Sequence, residues 1–586
     1  MKSPYRPHVR RLLLITTFAG LLFFAKLGAP GLHDPDETRY AEIAREMLES
    51  GDFVVPHLNY VPYLDKPPLL YWATCLAFKL FGLTEFAARF VPAFSGLLCV
   101  IAVYLFGCVM VGESAAFRSA VVLATSIIFF FVSRMLVTDM LLTLLITLAT
   151  GFLYLSRERG PRWLIPAYIA MALGALTKGP VAVLLPAIPV GFLAVKAKGI
   201  RSIRSLVSVG AVLAFLAVWL PWHVAIYYAR PEFYGHFFLS ENLAGFFREG
   251  IHHVRPAYHT VAYLLAGLIP WTMFLPAAIW DAFSRRGNRP DAVALCLAWA
   301  GTVVLLFSLS VSKLPTYVLP ALPPLALLIG VAIAEKRETP LVVRIVAFLL
   351  GAVFCVLAVL AAVFVAPRFL GITPEIRNLC SLVIGILAAL GVLLALSADR
   401  LAFVLAAGAV PAAFLLVVFT HSPQFLEYRS PRAIAAIIRE RNDATRVACF
   451  DRHHPYLCFY LQQRQTLVDS MPSDYRLGLS LNPRNDCFLS SRKFMREVQT
   501  HAGIYCIVED KNLITFQERF GPCFRLVSVF LYDRLEYLFV NTLNPDGEVA
   551  RPEQLPDWDI SKFLRVYGYQ VKEPQPDETL GGENPQ

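Results

Sequence analysis

Apolar runs of roughly 18–25 residues recur along this chain, and that feature decides most of what it can fold into. A backbone in hydrocarbon must satisfy its own polar groups, so such runs become helices packed across a bilayer. They fall at roughly 12–28, 88–111, 115–133, 136–155, 163–177, 180–196, 206–228, 258–283, 292–311, 315–334, 341–366, 377–397 and 401–420, thirteen in all. The fifth and sixth are short and read equally well as one kinked hairpin. The first lacks a small-x-small cleavage site and many more follow it, so it reads as a span and not a cleaved signal. Composition agrees. Of 586 residues, 57% are hydrophobic and only 16% charged, and the mean hydropathy is +0.57. A soluble multidomain chain of this length carries more surface charge.

The net charge is +10. In a soluble protein that would raise nucleic acid as a partner. Here Lys and Arg recur in short loops between spans, so membrane topology accounts for them and no nucleic acid is expected. With the N-terminus in the cytoplasm, "KSPYRPHVRR", "SRERGPR", "KAKGIRSIR", "SRRGNRP" and "EKRE" all lie inside. The outer face then receives residues 34–89, the Arg134–Asp139 turn, "TKGP", residues 229–257, "SKLP" and the C-terminus.

The expected fold is an α-helical polytopic membrane protein with a small outer α/β domain. A transmembrane domain covers 1–421, its first outer loop carrying interfacial helices over 33–87. From Ser422 to residue 572 the composition changes. "SPRAIAAIIRERN" reads as a helix capped by Ser430, with Pro431 at its first position. "TRVACF", "QTLVD", "IYCIVE" and "FRLVSVFLYD" read as strands, and "NLITFQERFG" as a helix between two of them. The tail 573–586, rich in Pro, Glu and Gly, reads as disordered. Of eleven cysteines, Cys75, Cys99, Cys108, Cys296, Cys355 and Cys380 lie in or beside apolar segments as packing residues. Cys449, Cys458, Cys487, Cys506 and Cys523 fall in the outer domain, where an odd number leaves pairing open.

"HDPDETRYAEIAREM" follows the first span, and seven of its fifteen residues are charged. Asp34, Pro35 and Glu37 suit the N-cap, first-turn and reciprocal positions of a helix start. The helix runs to Ser50 and stops at Gly51. Tyr40, Ile43, Ala44, Met47 and Leu48 form an apolar stripe, so the helix is expected to lie flat at the membrane surface. Capping and solvation suffice for Asp34, Glu37, Glu42, Glu46 and Glu49. Asp36 fits them less well: four residues before Tyr40 and seven before Ile43, it shares the apolar face. A carboxylate so placed needs a cation or a task.

Other polar residues on this face are few. Asp65 and Lys66 precede a double proline and a second membrane-hugging helix over 69–81; the ordinary reading is a surface ion pair. Asp139 opens the fourth span, where it or Thr138 could serve as an N-cap. Lys178 sits in "TKGP", where a snorkelling lysine is the plain account. "EGIHHVRPAYH" carries His252, His253, Arg255 and His259, and "SKLPTYVLPALPP" carries Lys313 and Tyr317. Together these supply carboxylates, imidazoles and cations suited to a phosphate-bearing substrate.

"DPDETRYAEIAREM", "YLDKPPLLYW" and "SKLPTYVLPALPPLALL" resemble the bacterial 4-amino-4-deoxy-L-arabinose lipid A transferases. That family is related to the protein O-mannosyltransferases among the GT-C glycosyltransferases. The resemblance implies an undecaprenyl-phosphate-linked sugar donor, lipid A or another envelope acceptor, the inner-membrane bilayer as setting, and chemistry on the periplasmic face. It implies catalytic roles for Asp36 and Asp139, and donor-phosphate binding by Arg39, Lys66, Lys178 and Tyr317. It also implies a divalent metal, zinc, held by Asp65 and His253, with His252 as the alternative; the family often has Glu where this chain has Asp65. Another envelope glycosyltransferase, of protein O-mannosyltransferase type, is the second reading. A transporter is the rival class. Against it, no Gly/Pro-broken segments pair between halves and no charge sits in mid-span.

Overall fold

The structure is a computed structural model that describes residues 5–33, 35–244, 254–284, 290–334, 432–441, 446–450, 455–470, 472, 475–481, 487–531 and 535–541. They form two compact units. One comprises Met1–Arg45 with Asp65–Ser430, the other Glu46–Leu64 with Pro431–Gln586. The expected spans at 341–366, 377–397 and 401–420 lie outside the described residues, as do Asp34, Ser430 and Pro431.

The first unit is helical. In chain order its helices are α1 (Tyr5–Phe24), α2 (Asp36–Ser50), α3 (Leu69–Phe81), α4 (Glu85–Met110), α5 (Glu113–Thr125), α6 (Ile127–Val132), α7 (Thr138–Arg159), α8 (Leu164–Lys178), α9 (Val181–Lys198) and α10 (Val209–Ala229). Helices at Tyr258–Gly267, Trp271–Phe283, Pro290–Leu309 and Pro315–Ala334 follow. Six of the described helices are long and apolar enough to cross a membrane, seven if the bent pair around Pro270 is one span. The short fifth and sixth runs are two helices, α8 and α9, parted at Gly179, whose φ of +82° suits a residue without a Cβ.

Two expected spans are broken. The run at 115–133 stops at Ser126, between α5 and α6, and the run at 258–283 bends by 108°. Each break supplies what the other lacks. The Ile127 amide donates to the Ile269 carbonyl at 3.0 Å, and the Trp271 indole donates to the Thr125 hydroxyl at 2.9 Å. Such exchange makes irregular backbone tolerable at membrane depth.

Helix α2 corrects the expectation that capping and solvation suffice for its acids. Its middle is buried on every side, with Glu37, Glu42 and Glu46 each at most 1% exposed. Arg45 forks onto Glu42 through two 2.7 Å bonds. Glu37 accepts from the His33 amide at 2.9 Å, closing the first turn, and Gly51 ends the helix at φ +71°. Asp36, expected on the inward face, has a side chain 53% exposed. Spacing along one helix could not place it, because the partner that draws Glu37 inward is Arg89, 52 residues away.

In the second unit a mixed sheet has the order β5-β4-β3-β6-β8-β7. Its strands are β3 (Arg446–Phe450), β4 (Gln465–Val468), β5 (Phe488–Leu489), β6 (Ile504–Glu509), β7 (Phe524–Leu531) and β8 (Leu535–Asn541). Strands β5, β4, β3 and β6 are parallel, and β8 and β7 antiparallel. Phe494, Phe516, Phe520 and Phe539 fill one face. The five cysteines of this unit are buried free thiols.

Residues Glu46–Leu64 belong to this unit although the chain places them in the first outer loop. They carry a two-stranded hairpin, β1 (His57–Leu58) and β2 (Val61–Pro62). At its tip Asn59, fully buried and at φ +52°, acts as a surrogate strand. Its side-chain amide donates to the Gln465 carbonyl and its oxygen accepts from the Gln465 amide, both at 2.9 Å. Arg464 lies 4.6 Å over the Tyr60 ring. Gly478 touches the hairpin so closely that a Cβ there would overlap the Pro62 carbonyl and the Val61 side chain. Gly478→Val should therefore destabilise the unit by about 1–3 kcal/mol. Gly521→Ala, where a Cβ meets only Gln517 at 3.7 Å, should be near neutral. Protease protection of the purified protein compares the two.

Candidate active site

Asp36 is the first residue of α2, and Arg39 stands one turn on with its Nη2 3.4 Å from the Asp36 Oδ1. Tyr40, one turn beyond Asp36, is 7% exposed. Its hydroxyl reports what gathers there. Burial raises its pKa first, the charges of Asp36, Asp139 and Asp65 raise it further, and Arg39 opposes them. Three acids from distant parts of the chain thus converge on one phenol.

Asp139 and Lys178 depart from their ordinary readings. Asp139 is the second residue of α7, and no side chain caps that helix. Its Oδ1 instead accepts from the Lys178 Nζ at 2.7 Å. Lys178, the last residue of α8, does not snorkel: its side chain is 18% exposed and its ammonium lies 4.6 Å from the centre of the Tyr317 ring. Asp36 is within electrostatic reach of that ammonium. Tyr317 is held in a 3-10 helix, Pro315–Ala321, with Phe307 5.0 Å away.

Asp65 stands just before the Pro67–Pro68 pair that opens α3. Its Oδ1 lies 2.8 Å from the Nε2 of His236. Burial alone would raise the Asp65 pKa. The hydrogen bond and charge of His236, with Lys66 and Arg39, outweigh it and hold the carboxyl below its ordinary value. Lys66 donates to the Asp65 carbonyl at 3.2 Å. His236 was not singled out in the sequence, and the partner expected for Asp65, His253, lies outside the described residues with His252. The available signal was a lone imidazole in the aromatic run "EFYGHFFL". It sits in a π-helix, Gly235–Ala244, an irregular turn common at functional sites. Lys313 is buried and turned onto the Ser310 carbonyl, and His259 stacks on Tyr258 at 4.4 Å.

The arrangement interleaves Asp36, Asp65 and Asp139 with Arg39, Lys66 and Lys178. Such a site can hold an anionic headgroup on its cations and keep a carboxylate free for proton transfer. The Asp139–Lys178 pair is desolvated, so removing one member strands the other. Lys178→Met should cost about 3–5 kcal/mol. Asp139→Asn/Lys178→Met should recover most of that stability without recovering activity, as read by thermal melts in detergent beside turnover.

Residues 65–224 match a family model described as dolichyl-phosphate-mannose-protein mannosyltransferase. The "Undecaprenyl phosphate-alpha-4-amino-4-deoxy-L-arabinose arabinosyl transferase" of Yersinia enterocolitica serotype O:8 is 33% identical over 326 residues. That match covers 54% of this chain and 58% of the relative, so the chain spans little more than half of that protein's length. The fold is similar to the crystal structure of ArnT from Cupriavidus metallidurans bound to undecaprenyl phosphate, with a TM-score of 0.78 at 22% identity over 91% of this chain and 99% of that one. Its apo form gives a TM-score of 0.76 at 22% identity over 92% and 99%. A Serratia proteamaculans protein of the same name as the Yersinia one is 32% identical over 395 residues, 65% of this chain and 70% of the relative. The chain therefore belongs to the undecaprenyl phosphate-aminoarabinose arabinosyl transferase family.

Proposed function

We propose that the chain transfers 4-amino-4-deoxy-L-arabinose from undecaprenyl phosphate to lipid A at the periplasmic face of the bacterial inner membrane. The observation that carries this reading is the meeting of Asp36, Asp139 and Asp65 around the buried Tyr40, with Arg39, Lys66 and Lys178 among them. The relatives' names supply the donor and the sugar.

In the proposed step an acceptor oxygen attacks the anomeric carbon of the sugar. The bond from that carbon to the phosphate oxygen breaks, and undecaprenyl phosphate leaves with the electron pair. Arg39, Lys66 and Lys178 stabilise the charge growing on its oxygens. Asp36, the more exposed acid and an ion-pair partner of Arg39, takes the proton of a hydroxyl acceptor. A phosphate acceptor is already anionic and needs only to be positioned. Tyr317 holds the Lys178 ammonium over its ring and so fixes where that charge sits.

Asp65 and His236 are ligand types that zinc accepts. They hydrogen-bond to each other, and among the described residues no three His, Cys, Asp or Glu side chains gather to hold a metal. Among the described residues the donor set is incomplete for zinc, and His252 and His253 lie outside them.

Asp36→Asn keeps the shape of the helix start and removes the charge. Transfer should fall by about 10²–10⁴-fold in single-turnover assays while donor binding survives. Lys66→Ala should instead weaken donor affinity along with turnover. Near-wild-type transfer in Asp36→Asn would end its catalytic role. Mass spectrometry of lipid A from cells with and without the active protein identifies the sugar and acceptor, and an unmodified lipid A would point to another envelope glycan. For sidedness, a reporter fused after Gln586 should register the periplasm and one at Arg286 the cytoplasm; swapped signals would reject the proposed face.

A further inference from the structure

We infer that Glu37 is a positioning residue, holding the starts of α2 and α7 in register so that Asp36 and Asp139 face the same reacting group; this rests on the transferase reading above. Glu37 is 1% exposed and Arg89 2%. Each Glu37 oxygen accepts twice. Oε1 takes the Arg89 Nε at 2.8 Å and the Leu136 amide at 2.9 Å. Oε2 takes the Arg89 Nη2 at 2.7 Å and the His33 amide at 2.9 Å. Glu37 adjoins Asp36, and Leu136 stands three residues before Asp139. One carboxylate thus ties together two helix starts through a bond between residues 99 apart in the chain.

The clamp is itself fixed. Arg89 spends its remaining donors on the carbonyls of Leu27, Pro30 and Gly31, at 3.2, 2.6 and 2.8 Å. Arg134, two residues before Leu136, donates to the carbonyls of Leu22, Phe23 and Ala25 at 3.2, 2.9 and 2.9 Å. Both arginines therefore hold the C-terminal end of α1 and the chain beyond it, where the helix dipole favours cations. From this base Arg89 offers the rigid planar fork that suits a carboxylate. A fully desolvated ion pair contributes little net stability compared with well-packed apolar residues. What it supplies is direction: four donors converge on one carboxylate, and no apolar contact fixes a helix start so closely.

The experiment uses the full-length protein in detergent or nanodiscs. Glu37→Gln keeps the volume but turns an NH₂ toward donors that need an acceptor. Arg89→Lys keeps the charge and loses the fork, and serves if Glu37→Gln folds poorly. Both should lower kcat by about 10–10²-fold, the cost of a reacting group misplaced by about 1 Å, with the donor KM within about two-fold of wild type. Because Glu37 acts through Asp36 and Asp139, Asp36→Asn/Glu37→Gln should lose less than the product of the two single losses. Hydrogen exchange needs no activity: amides in 132–140 should exchange faster in Glu37→Gln, and those in α9 should not. Unchanged exchange at 132–140, or rate losses that multiply in the double variant, overturns the positioning role. A wild-type protein that transfers no sugar from any polyprenyl phosphate rejects the transferase reading, and the exchange result alone then decides whether Glu37 joins the two helix starts.

Discussion

A buried charge must be met by its partner at close range, and in this molecule that requirement decides where helix ends go. Apolar helices in a lipid bilayer gain little from burying one another, because the tails around them are as apolar as their side chains. Polar contacts then set register. The Arg89 fork on Glu37 fixes the entry to α2. The Lys178 ammonium joins the end of α8 to the start of α7. The breaks at Ser126 and Pro270 face each other because each leaves groups that the other satisfies. Around these points the apolar packing is close, as where the nearest Ile128 atom would sit 2.7 Å from a Cβ at Gly267.

These contacts also explain how far the sequence could be read. Hydropathy located the described helices, because length and composition alone make a span. It could not show that two spans break, since Ile127 and Ile269 become partners only once both helices are in place. Alternating apolar residues revealed β3, β4, β6 and β7. β8 escaped notice in the run "LEYLFVN", and two-residue β5 carries no pattern to read. The 46–64 loop held no visible sign that its hairpin belongs to the C-terminal unit, because the Asn59 contact appears only when Gln465 is beside it.

The residues proposed for the site came from different signals in the sequence, and the surroundings of Asp36 were misread. Asp65, Lys66, Asp139, Lys178 and Tyr317 stood out as isolated polar residues beside apolar runs, Asp36 by its place on the charged helix, and Arg39 through the family resemblance. Helical periodicity exchanged the surroundings of Asp36 and Glu37. It counted only neighbours on one helix, while the deciding cation comes from α4. His236 was hidden for a related reason: its partner, Asp65, is 171 residues away in the chain.

The reciprocal bond between Asn59 and Gln465 has a consequence in time. Its partners are 406 residues apart. At about 5–20 residues per second, a ribosome needs about 20–80 seconds to synthesise that interval. Through that interval the 57–62 segment is made while the strand that Asn59 will bond does not exist. Val61 and Leu58, buried in the finished protein, meet water or the lipid interface meanwhile. The nascent loop is thus an open sheet fragment awaiting its template, a state in which cellular chaperones have a defined window to act. The same order makes the fragment 431–586 by itself an incomplete unit: cut from the chain, it would lack the Pro62 and Val61 that lie against Gly478.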